Sequence, residues 1–300
     1  MIPTMKKTRL IIGCGYLGLR VAQTWISAGD QVFALTRNEE NGAKFQELGI
    51  TPVIADVTNP QTLTDLPSCD TVLFAVGFDR KSDHSIEAVY VQGLQNVIDY
   101  MEIPPQQFIY ISSTGVYGDA GGDLVNEQTM CEPKRPGGKA CLTAERFLLF
   151  HPQFAQNAVI LRLAGIYGPG RIPRSRDLQN QVPIPTPGDG ALNLIHVEDA
   201  VDAVQLVTDA PVQSHIYNVS DGSAVVRREY YQHLAQLLDA PDPVFKDPEP
   251  DSPAAFRAQS DRQIDNGLFV SDYAFKPRYP SYREGLAAIV ANEAELGTVD

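Results

Sequence analysis

The feature that most constrains this chain is an apolar run near its start that passes directly into three glycines, in the segment Leu10–Gly18. The Gly-x-Gly-x-x-Gly spacing predicts a strand that enters a helix through a tight turn. Gly13 permits the turn, Gly15 lets the backbone approach a pyrophosphate, and Gly18 lets the helix pack closely on the strand. We therefore expect a dinucleotide whose phosphates bind at the start of a helix from Tyr16 to about residue 28.

Charge and composition exclude several classes of partner. The 300 residues carry 24 Lys plus Arg against 37 Asp plus Glu, and the net charge of −13 repels nucleic acid and anionic membranes. No apolar run approaches the roughly 20 residues of a membrane helix, and Met1–Lys7 has no signal-peptide core. The four cysteines have no metal-ligand or disulfide spacing. We expect a cytoplasmic protein with free thiols and no bound metal.

Short apolar runs alternate with helical spacers through the first half of the chain. The runs Gln31–Leu35, Thr51–Val57 and Thr71–Gly77 are short and continuously apolar at their centres, which is typical of parallel strands buried on both faces. Residues 39–48 predict a helix, and Ser85–Met101 carries an apolar stripe of helical period that packing on a sheet explains. This alternation predicts an α/β protein with a Rossmann-type, doubly wound parallel sheet.

The end of the second strand bears on the choice of cofactor. An acidic residue there would accept from both ribose hydroxyls and select NAD, but this chain has Thr36 followed by Arg37. A guanidinium can hold a 2′-phosphate by paired hydrogen bonds, so we predict NADP, and NAD stays open if Arg37 stacks on adenine or lies in solvent. Asp56 is either an acceptor for the adenine amino group or a turn residue. The predicted cofactor-binding residues are Gly13, Gly15, Tyr16, Leu17, Gly18, Thr36, Arg37, Asp56, Val57, Ala75, Val76, Gly77 and Ser112.

Four further motifs follow in order along the chain. Phe108–Gly118 is an apolar strand that delivers hydroxyl residues to its carboxyl end, and after it come Val159–Gly170, Leu194–Ala200 and Ile216–Val219. Together with the N-terminal glycines, these motifs resemble the extended short-chain dehydrogenase/reductase family, the NAD(P)-dependent epimerases and dehydratases of nucleotide sugars. The resemblance covers essentially the whole chain. It implies a Rossmann domain followed by a small C-terminal substrate lobe.

The composition changes most sharply after Gly165, where the chain becomes rich in loops, prolines and glycines. We therefore place the Rossmann domain at residues 1–165 and the substrate lobe at residues 166–300. Some segments of the lobe are expected to return to the Rossmann domain. From Ala240 to residue 253, a proline-rich acidic stretch predicts an extended linker.

The resemblance implies a catalytic triad of Ser or Thr, Tyr, and a Lys four residues after the Tyr. The Ser would hydrogen bond the substrate oxygen, the Tyr would move its proton, and the Lys would lower the Tyr pKa and hold the nicotinamide ribose. Ser113 takes the first position. In the register of the following helix, Gly137 stands where Tyr belongs and Cys141 where Lys belongs. A slide to Lys139 puts Arg135 at the Tyr position, so no register gives Tyr-x-x-x-Lys.

The sequence therefore does not support the ordinary proton relay, and other side chains are candidates in its place. Glycine has no proton to give, and a thiol near its reference pKa of about 8.5 carries little charge at neutral pH. Tyr117 flanks the expected site and Lys139 lies close to the Lys position, although either can be purely structural. The predicted catalytic residues are Ser113, Tyr117 and Lys139.

The predicted substrate contacts lie at the end of the fifth strand and in the loop-rich part of the chain. Arg171, Arg174 and Arg176 form a local basic cluster in an acidic protein, which suits a phosphate or carboxylate and can equally be a solvated surface. Tyr167 can shape the pocket, and His196 can titrate near neutrality or fix a loop to the core. The predicted substrate-binding residues are Thr114, Tyr167, Arg171, Arg174 and His196.

Two functions of different classes are consistent with this sequence. The first is an NAD(P)-dependent oxidoreductase or epimerase with an atypical site, acting on a small polar substrate such as a nucleotide sugar. The second is a non-catalytic NADP-binding regulator or scaffold that kept the fold and lost the relay. The hydroxyls of Ser112–Thr114, the loop Gly168–Gly170 and the full C-terminal lobe favour the enzyme. A homodimer is compatible with both functions.

Overall fold

A computed structural model describes residues 6–79, 81–250, 252–258 and 261–296. Residues 1–5, which carry part of the expectation about a signal peptide, lie outside these ranges. The strands are β1 (Thr8–Ile12), β2 (Gln31–Thr36), β3 (Thr51–Ile54), β4 (Thr71–Phe74), β5 (Gln107–Ser113), β6 (Leu124–Val125), β7 (Ala158–Leu163), β8 (Gly165–Tyr167), β9 (Ile184–Pro185), β10 (Ala191–Leu192), β11 (Leu194–His196), β12 (Ile216–Val219), β13 (Val225–Val226), β14 (Phe245–Lys246) and β15 (Gln263–Ile264). The helices are α1 (Gly18–Ser27), α2 (Glu39–Glu47), α3 (Gly93–Tyr100), α4 (Pro136–Leu149), α5 (Ser175–Gln179), α6 (Val197–Val207), α7 (Arg227–Leu237), α8 (Pro253–Ala258), α9 (Gly267–Tyr273) and α10 (Tyr282–Leu296).

Within the described residues, seven strands form one parallel sheet in the order β12-β7-β5-β4-β1-β2-β3. Leu10 of β1 stands opposite Phe33 of β2 and Val72 of β4. The strands are apolar along their length because helices flank the sheet. The strand order reverses between β1 and β4, and sheets of this kind bind ligands beyond the carboxyl ends of the strands at such a reversal. The predicted Rossmann-type α/β fold is confirmed.

Two strands end earlier than their apolar sequence predicts, at points that their neighbours set. β4 ends at Phe74, because β1 turns away after Ile12 and the Ala75 amide already bonds the Ile12 carbonyl oxygen at 2.7 Å. β3 ends at Ile54, because its partner β2 ends at Thr36. The residues that follow both strands therefore form loops at the carboxyl edge of the sheet.

The chain divides into two compact units, and the first comprises Met1–Ser113, Pro136–Arg162 and Val201–Tyr217. Its core packs side chains of the parallel sheet against α3 and α4. Phe74 and Phe108 are fully buried there, with ring centroids 6.5 Å apart. The long apolar strands of the sequence thus build the interior of this unit.

The late segment of the first unit is bonded to its earliest strands. Arg9 on β1 donates from Nη1 to Oδ1 of Asp209 at 2.9 Å. Gln107 at the start of β5 donates from Nε2 to the Val207 carbonyl oxygen at 2.6 Å. The first unit is therefore completed by residues that lie about two thirds of the way along the chain.

The second unit comprises Thr114–Arg135, Leu163–Ala200 and Asn218–Asp300. Its core combines aliphatic side chains with several tyrosines, of which Tyr167 and Tyr230 are fully buried. Its strands pair in twos, among them β8 with β11 and β9 with β14. In this division the chain passes between the units several times, and the predicted boundary at residue 165 lies near the start of one second-unit segment.

The proline-rich stretch after α7 contains short elements where the sequence predicts an extended linker. Phe245–Lys246 pairs in parallel with Ile184–Pro185, and Pro253 begins a helix. Asp251 of the predicted linker lies outside the described residues. Backbone pairing with β9 therefore ties part of this stretch to the second unit.

Several expectations from composition concern absent features. In the part of the chain that the structure describes, no helix is long and apolar enough to cross a bilayer. Over the same residues, no group of three or more His, Cys, Asp or Glu side chains could hold a metal ion. Cys14, Cys69, Cys131 and Cys141 are not joined in disulfide bonds.

A buried ion pair fixes α4 to the sheet. The side chains of Arg162 on β7 and Glu145 on α4 are 4% and 1% exposed, and Nη2 lies 2.7 Å from Oε2. Ser112 at the end of β5 donates a further hydrogen bond to Oε1 of Glu145 at 2.5 Å. Removing one partner of such a pair leaves the other charge buried without compensation.

Replacement of Glu145 should therefore destabilise the first unit strongly. Glu145→Gln leaves the Arg162 guanidinium without its counter-charge, a loss that costs about 3–5 kcal/mol in buried pairs. Urea denaturation measures the free energy of unfolding. Glu40→Gln is the matched control, because Glu40 and Lys44 form an exposed pair on α2, and we expect no measurable change there. Equal effects of the two substitutions would contradict a structural role for the buried pair.

Candidate functional site

The three glycines after β1 have different surroundings. Gly13 has a φ of 95°, and a Cβ there would lie 2.5 Å from both the carbonyl carbon and the oxygen of Ala75. A Cβ on Gly18 would lie 2.5 Å from the Gly13 carbonyl oxygen. A Cβ on Gly15 would meet no atom within 4 Å. The protein's own packing requires glycine at positions 13 and 18, whereas Gly15 borders open space.

The start of α1 is open to an anion. The helix begins at Gly18, later than the predicted Tyr16, and its N-cap residue Leu17 offers no side-chain hydrogen bond. Its first turn contains no acidic residue. Arg20 donates from Nη1 to the Tyr16 carbonyl oxygen at 2.8 Å, which holds the turn before the helix. Helix amides of this kind bind phosphate groups, so the residues present fit a dinucleotide pyrophosphate beside Gly15.

The residues predicted to meet the adenosine part of the cofactor lie at the ends of β2 and β3. Thr36 is buried and the side chain of Arg37 is exposed. Asp56 accepts from the Thr58 amide at 2.8 Å and from the Thr58 hydroxyl at 2.7 Å, both through Oδ1. This geometry favours the turn interpretation of Asp56, because one carboxylate oxygen closes the loop after β3.

The loop after β4 lies against the glycine turn. Ala75 and Val76 are half-buried, whereas Gly77 is exposed, and a Cβ on Gly77 would meet no atom within 4 Å. Val57, which is buried, accepts a hydrogen bond at its carbonyl oxygen from Nδ2 of Asn96 at 2.8 Å. The open side of this loop is therefore at Gly77, on the carboxyl edge of the sheet.

The two serines at the end of β5 point to opposite faces, because side chains alternate along a strand. Ser112 is buried, and its hydroxyl is held by Glu145. Ser113 is half-buried and is the last residue of the strand. The carboxyl end of this strand is at the edge where α/β sheets bind ligands. The role of Ser113 as a donor to a substrate oxygen stays a prediction.

The positions that correspond to the missing Tyr and Lys both lie on α4. A Cβ on Gly137 would lie 3.3 Å from Cδ1 of Ile86, which narrows the space beside that position. Cys141 is buried, and burial together with the Glu145 carboxylate raises the pKa of its thiol to about 11. The thiol is therefore neutral at pH 7 and supplies no positive charge where the resemblance expects a lysine.

Lys139 lies on the same helix but on its exposed face. Two residues along an α-helix correspond to a rotation of about 200°, so Lys139 and the buried Cys141 project in nearly opposite directions. The ammonium of Lys139 therefore points away from the groups around Cys141.

Tyr117 lies in a hydrogen-bond network of the second unit. Its buried hydroxyl donates to Oδ1 of Asn218 at 2.8 Å. The Asn218 amide donates to Oε1 of Glu127 at 2.7 Å, and its Nδ2 donates to the Asp265 carbonyl oxygen at 3.1 Å. Thr114, the predicted substrate contact that precedes this tyrosine, is also buried. This network gives Tyr117 a structural role in its own unit.

Tyr167 and His196 pack together in the second unit. Their ring centroids are 5.3 Å apart in an edge-on arrangement, and the Tyr279 ring lies 4.0 Å from His196. The Glu198 amide donates to Nδ1 of His196 at 3.2 Å. Burial and the charge of Asp221 raise the pKa of Tyr167 far above its usual value. The structure thus places both predicted substrate residues in a packed aromatic cluster.

The basic loop after β8 does not act as one cluster. Arg171 and Arg176 are exposed. Arg174 has a φ of 65° and directs Nη1 to Oδ2 of Asp177 at 2.7 Å. An acidic neighbour therefore balances the charge of Arg174 within its own turn.

A second basic group lies in the second unit at Arg135, Arg227 and Arg262. Burial and the charge of Arg135 lower the pKa of Arg262 to about 10, the Asp119 carboxylate opposes this shift, and Arg227 adds to it. Arg262 also donates from Nη1 to the Gly118 carbonyl oxygen at 2.5 Å. These arginines come from separate segments, so their proximity is not visible in the sequence. Guanidinium groups gathered in this way attract a phosphate or a carboxylate.

The fold and the glycine turn define a class, the dinucleotide-binding α/β proteins with a Rossmann-type sheet. Within that class, the model of the NAD dependent epimerase/dehydratase family matches residues 10–220. This chain belongs to that family.

Individual relatives agree with this assignment. The chain is 28% identical over 283 residues to Protein YeeZ of Escherichia coli (strain K12), which covers 92% of this chain and 97% of that protein. A Methylobacillus flagellatus structure described as an NAD-dependent epimerase/dehydratase is 28% identical, with a TM-score of 0.76 over 96% of this chain and 99% of that chain. MoeE5 in complex with UDP-glucuronic acid and NAD shares the fold at 23% identity, with a TM-score of 0.78 and the same coverage. The predicted family is confirmed.

For two residues of the site region, the sequence analysis did not predict the contacts that the structure shows. Tyr90 belongs to the apolar stripe of Ser85–Met101, which packing alone explains at the level of sequence, yet its hydroxyl accepts from the Phe78 amide at 3.2 Å. The hydroxyl of Tyr90 is the feature of the sequence that could have indicated this contact, because buried phenols usually find a hydrogen-bond partner. Glu145 carries no such signal, since only the fold brings Arg162 to it.

The glycines at positions 13 and 15 should respond differently to substitution. Gly15→Val should leave the unfolding temperature nearly unchanged and weaken NADP binding at least tenfold, because its side chain enters open space that suits the pyrophosphate. Gly13→Ala should lower the unfolding temperature, because its methyl group overlaps the Ala75 carbonyl group. Thermal unfolding and calorimetric titration measure the two effects. Full-strength binding by Gly15→Val would contradict a phosphate at this turn.

Proposed function

We propose that this protein catalyses an NAD(P)-dependent oxidation or reduction of a small, polar, anionic substrate of the nucleotide-sugar class. The observation that carries the proposal is the open space at Gly15, set between two tightly packed glycines. Backbone amides at this turn suit the cofactor pyrophosphate, and the nicotinamide would supply the hydride chemistry. The chain's own residues would bind the substrate, orient it and provide a proton.

The substrate class is supported by charge as well as by family. MoeE5, which shares the fold, is in complex with UDP-glucuronic acid, an anionic sugar nucleotide. In this chain, the group of Arg135, Arg227 and Arg262 would attract the diphosphate of such a compound. Thr114, Tyr167 and His196 are buried and would support the wall of the pocket without touching the substrate. Arg171 would add a contact from the exposed loop, and Arg174 is already paired with Asp177.

The proposed cofactor is NADP(H). Arg37 follows the buried Thr36 at the end of β2, and its exposed guanidinium is available to a 2′-phosphate. No acidic residue occupies these two positions. NAD is bound in the MoeE5 structure, so NAD is the alternative that the test has to separate.

The function is tested by NADPH oxidation with a panel of sugar nucleotides and small carbonyl compounds. Loss of nicotinamide absorbance measures turnover, and calorimetry on the same samples measures cofactor binding. We expect a UDP-linked keto sugar to be reduced faster than the same keto sugar without its nucleotide. Equal rates for the two would contradict recognition of the diphosphate.

Ser113 should contribute to turnover more than to binding. In the proposed reaction its hydroxyl donates to the substrate oxygen, and loss of one such donor costs about 10²–10³ in turnover. Ser113→Ala should therefore lower kcat by that factor with little change in NADPH affinity. Ser271→Ala is the matched control, since Ser271 is an exposed serine on α9. Ser112 is unsuitable as a control because its hydroxyl donates a hydrogen bond to the buried Glu145 carboxylate. Unchanged turnover by Ser113→Ala would contradict a catalytic centre at the end of β5.

Arg37 should set the cofactor preference. Arg37→Ala should weaken NADPH binding about tenfold or more and leave NADH binding unchanged, because only NADPH carries the phosphate that a guanidinium pairs with. Titration of both cofactors into both proteins measures the ratio of dissociation constants. Arg146→Ala, an exposed arginine on α4, controls for a general loss of positive charge. A preference that survives Arg37→Ala would exclude this residue as the phosphate ligand.

A non-catalytic NADP-binding regulator is the second candidate, and α4 favours it. Gly137 has no proton, and the neutral Cys141 thiol does not replace the charge of a lysine. A regulator would bind NADPH tightly without oxidising it in the presence of any compound in the panel. The same samples therefore distinguish the two candidates.

A further inference from the structure

Tyr90 occupies an unusual stretch of backbone. It lies in a π-helical turn, Ala88–Gln92, that leads into α3, and such turns frequently occur at functional sites. Its hydroxyl accepts a hydrogen bond from the Phe78 amide at 3.2 Å. Phe78 follows Gly77 in the open loop after β4. The π-helical turn therefore brings a phenol to the carboxyl edge of the sheet, beside the loop predicted to meet the cofactor.

The surroundings of Tyr90 favour the protonated form of its phenol. Among the described residues, Cys141 and Tyr110 interact electrostatically with Tyr90. Burial and Cys141 raise the pKa of Tyr90, against the opposing hydrogen bond from the Phe78 amide. Because that amide is the donor, the bond uses a lone pair of the phenol oxygen and leaves the phenol proton available to an acceptor.

The segment that carries Tyr90 also lies beside the position of the missing tyrosine. Ile86, one turn earlier, would lie 3.3 Å from a Cβ on Gly137. Within the same unit, Tyr110 is almost fully buried and shares a hydrogen bond with Cys141. Tyr90 is half-buried instead, and it faces the same thiol. These positions bring a phenol from a different segment to the neighbourhood of Gly137 and Cys141.

We propose that Tyr90 is the proton donor in this protein, in place of the tyrosine that is missing at position 137. This inference rests on the proposed function. Tyr90 gives its phenol proton to the carbonyl oxygen of the substrate as the carbonyl carbon accepts a hydride from the reduced nicotinamide. The C=O π pair becomes the new O–H bond, and the Tyr90 phenolate takes a proton from water. The nicotinamide would supply the hydride and would be left oxidised. Cys141 stays a neutral neighbour of Tyr90.

The first test needs no turnover. Protein labelled with ¹³Cζ-tyrosine is titrated with pH, and the Tyr90 signal is identified by its loss in Tyr90→Phe. Saturating NADP⁺ should lower the Tyr90 midpoint by about one pH unit, because a positive ring nearby favours the phenolate. NADPH should not do so, and the signal of Tyr100, a half-buried tyrosine on α3, should not move. If NADP⁺ binds and the Tyr90 midpoint does not shift, the inference about Tyr90 is overturned and the proposed function is not. If NADP⁺ does not bind, both are overturned.

The second test measures turnover with NADPH and a UDP-linked 4-keto-hexose. Tyr90→Phe should lower kcat by about 10²–10⁴, with the NADPH dissociation constant within about threefold of wild type, whereas Tyr100→Phe should match wild type. If Tyr90→Phe does not fold, difluorotyrosine at position 90 retains ring and hydroxyl and should move the alkaline limb of the kcat profile to lower pH. A Tyr90→Phe protein with wild-type kcat, or an unmoved limb, overturns the inference. Wild-type protein that binds NADPH without oxidising it contradicts the proposed function instead.

Discussion

The Gly13 turn lies so close to the Ala75 carbonyl group that a single methyl group would overlap it. Because the backbone takes a positive φ at this point, β1 leaves the sheet after Ile12 and β4 loses its neighbour on that side. The residues after β4 then form a loop at the carboxyl edge, and the Phe78 amide of this loop donates a hydrogen bond to the Tyr90 hydroxyl. One backbone conformation thus determines the glycine turn after β1 and the point where the loop that bonds Tyr90 begins.

The sheet was accessible to sequence reasoning because its determinants are local. Apolar runs and glycine spacing are properties of neighbouring residues, and they identified the Rossmann-type fold, the glycine turn and the family. Strand ends were predicted less well, because the end of β4 depends on where β1 turns away. The partners of Ser112 and the grouping of Arg135, Arg227 and Arg262 depend on residues far apart in sequence, which no spacing rule connects.

The changed residues on α4 alter the chemistry and leave the framework intact. Cys141 packs as a small neutral group, while Glu145 still receives Arg162 and Ser112 in a fully buried arrangement. A lysine at position 141 would bring a second cation close to that carboxylate and compete with Arg162 for it. The buried pair is therefore compatible with a thiol at this position, and the scaffold does not depend on a charge there.

The hydrogen bonds from Arg9 to Asp209 and from Gln107 to Val207 affect how the protein can fold during its synthesis. When a ribosome has released only the first 165 residues, β12 at the edge of the sheet and the partners of these two side chains do not yet exist. The buried guanidinium of Arg9 then lacks one of its carboxylates, and one edge of the sheet stays open to other chains. The first unit therefore cannot be completed until its last segment, Val201–Tyr217, has emerged, by which time two of the three segments of the second unit have already been made.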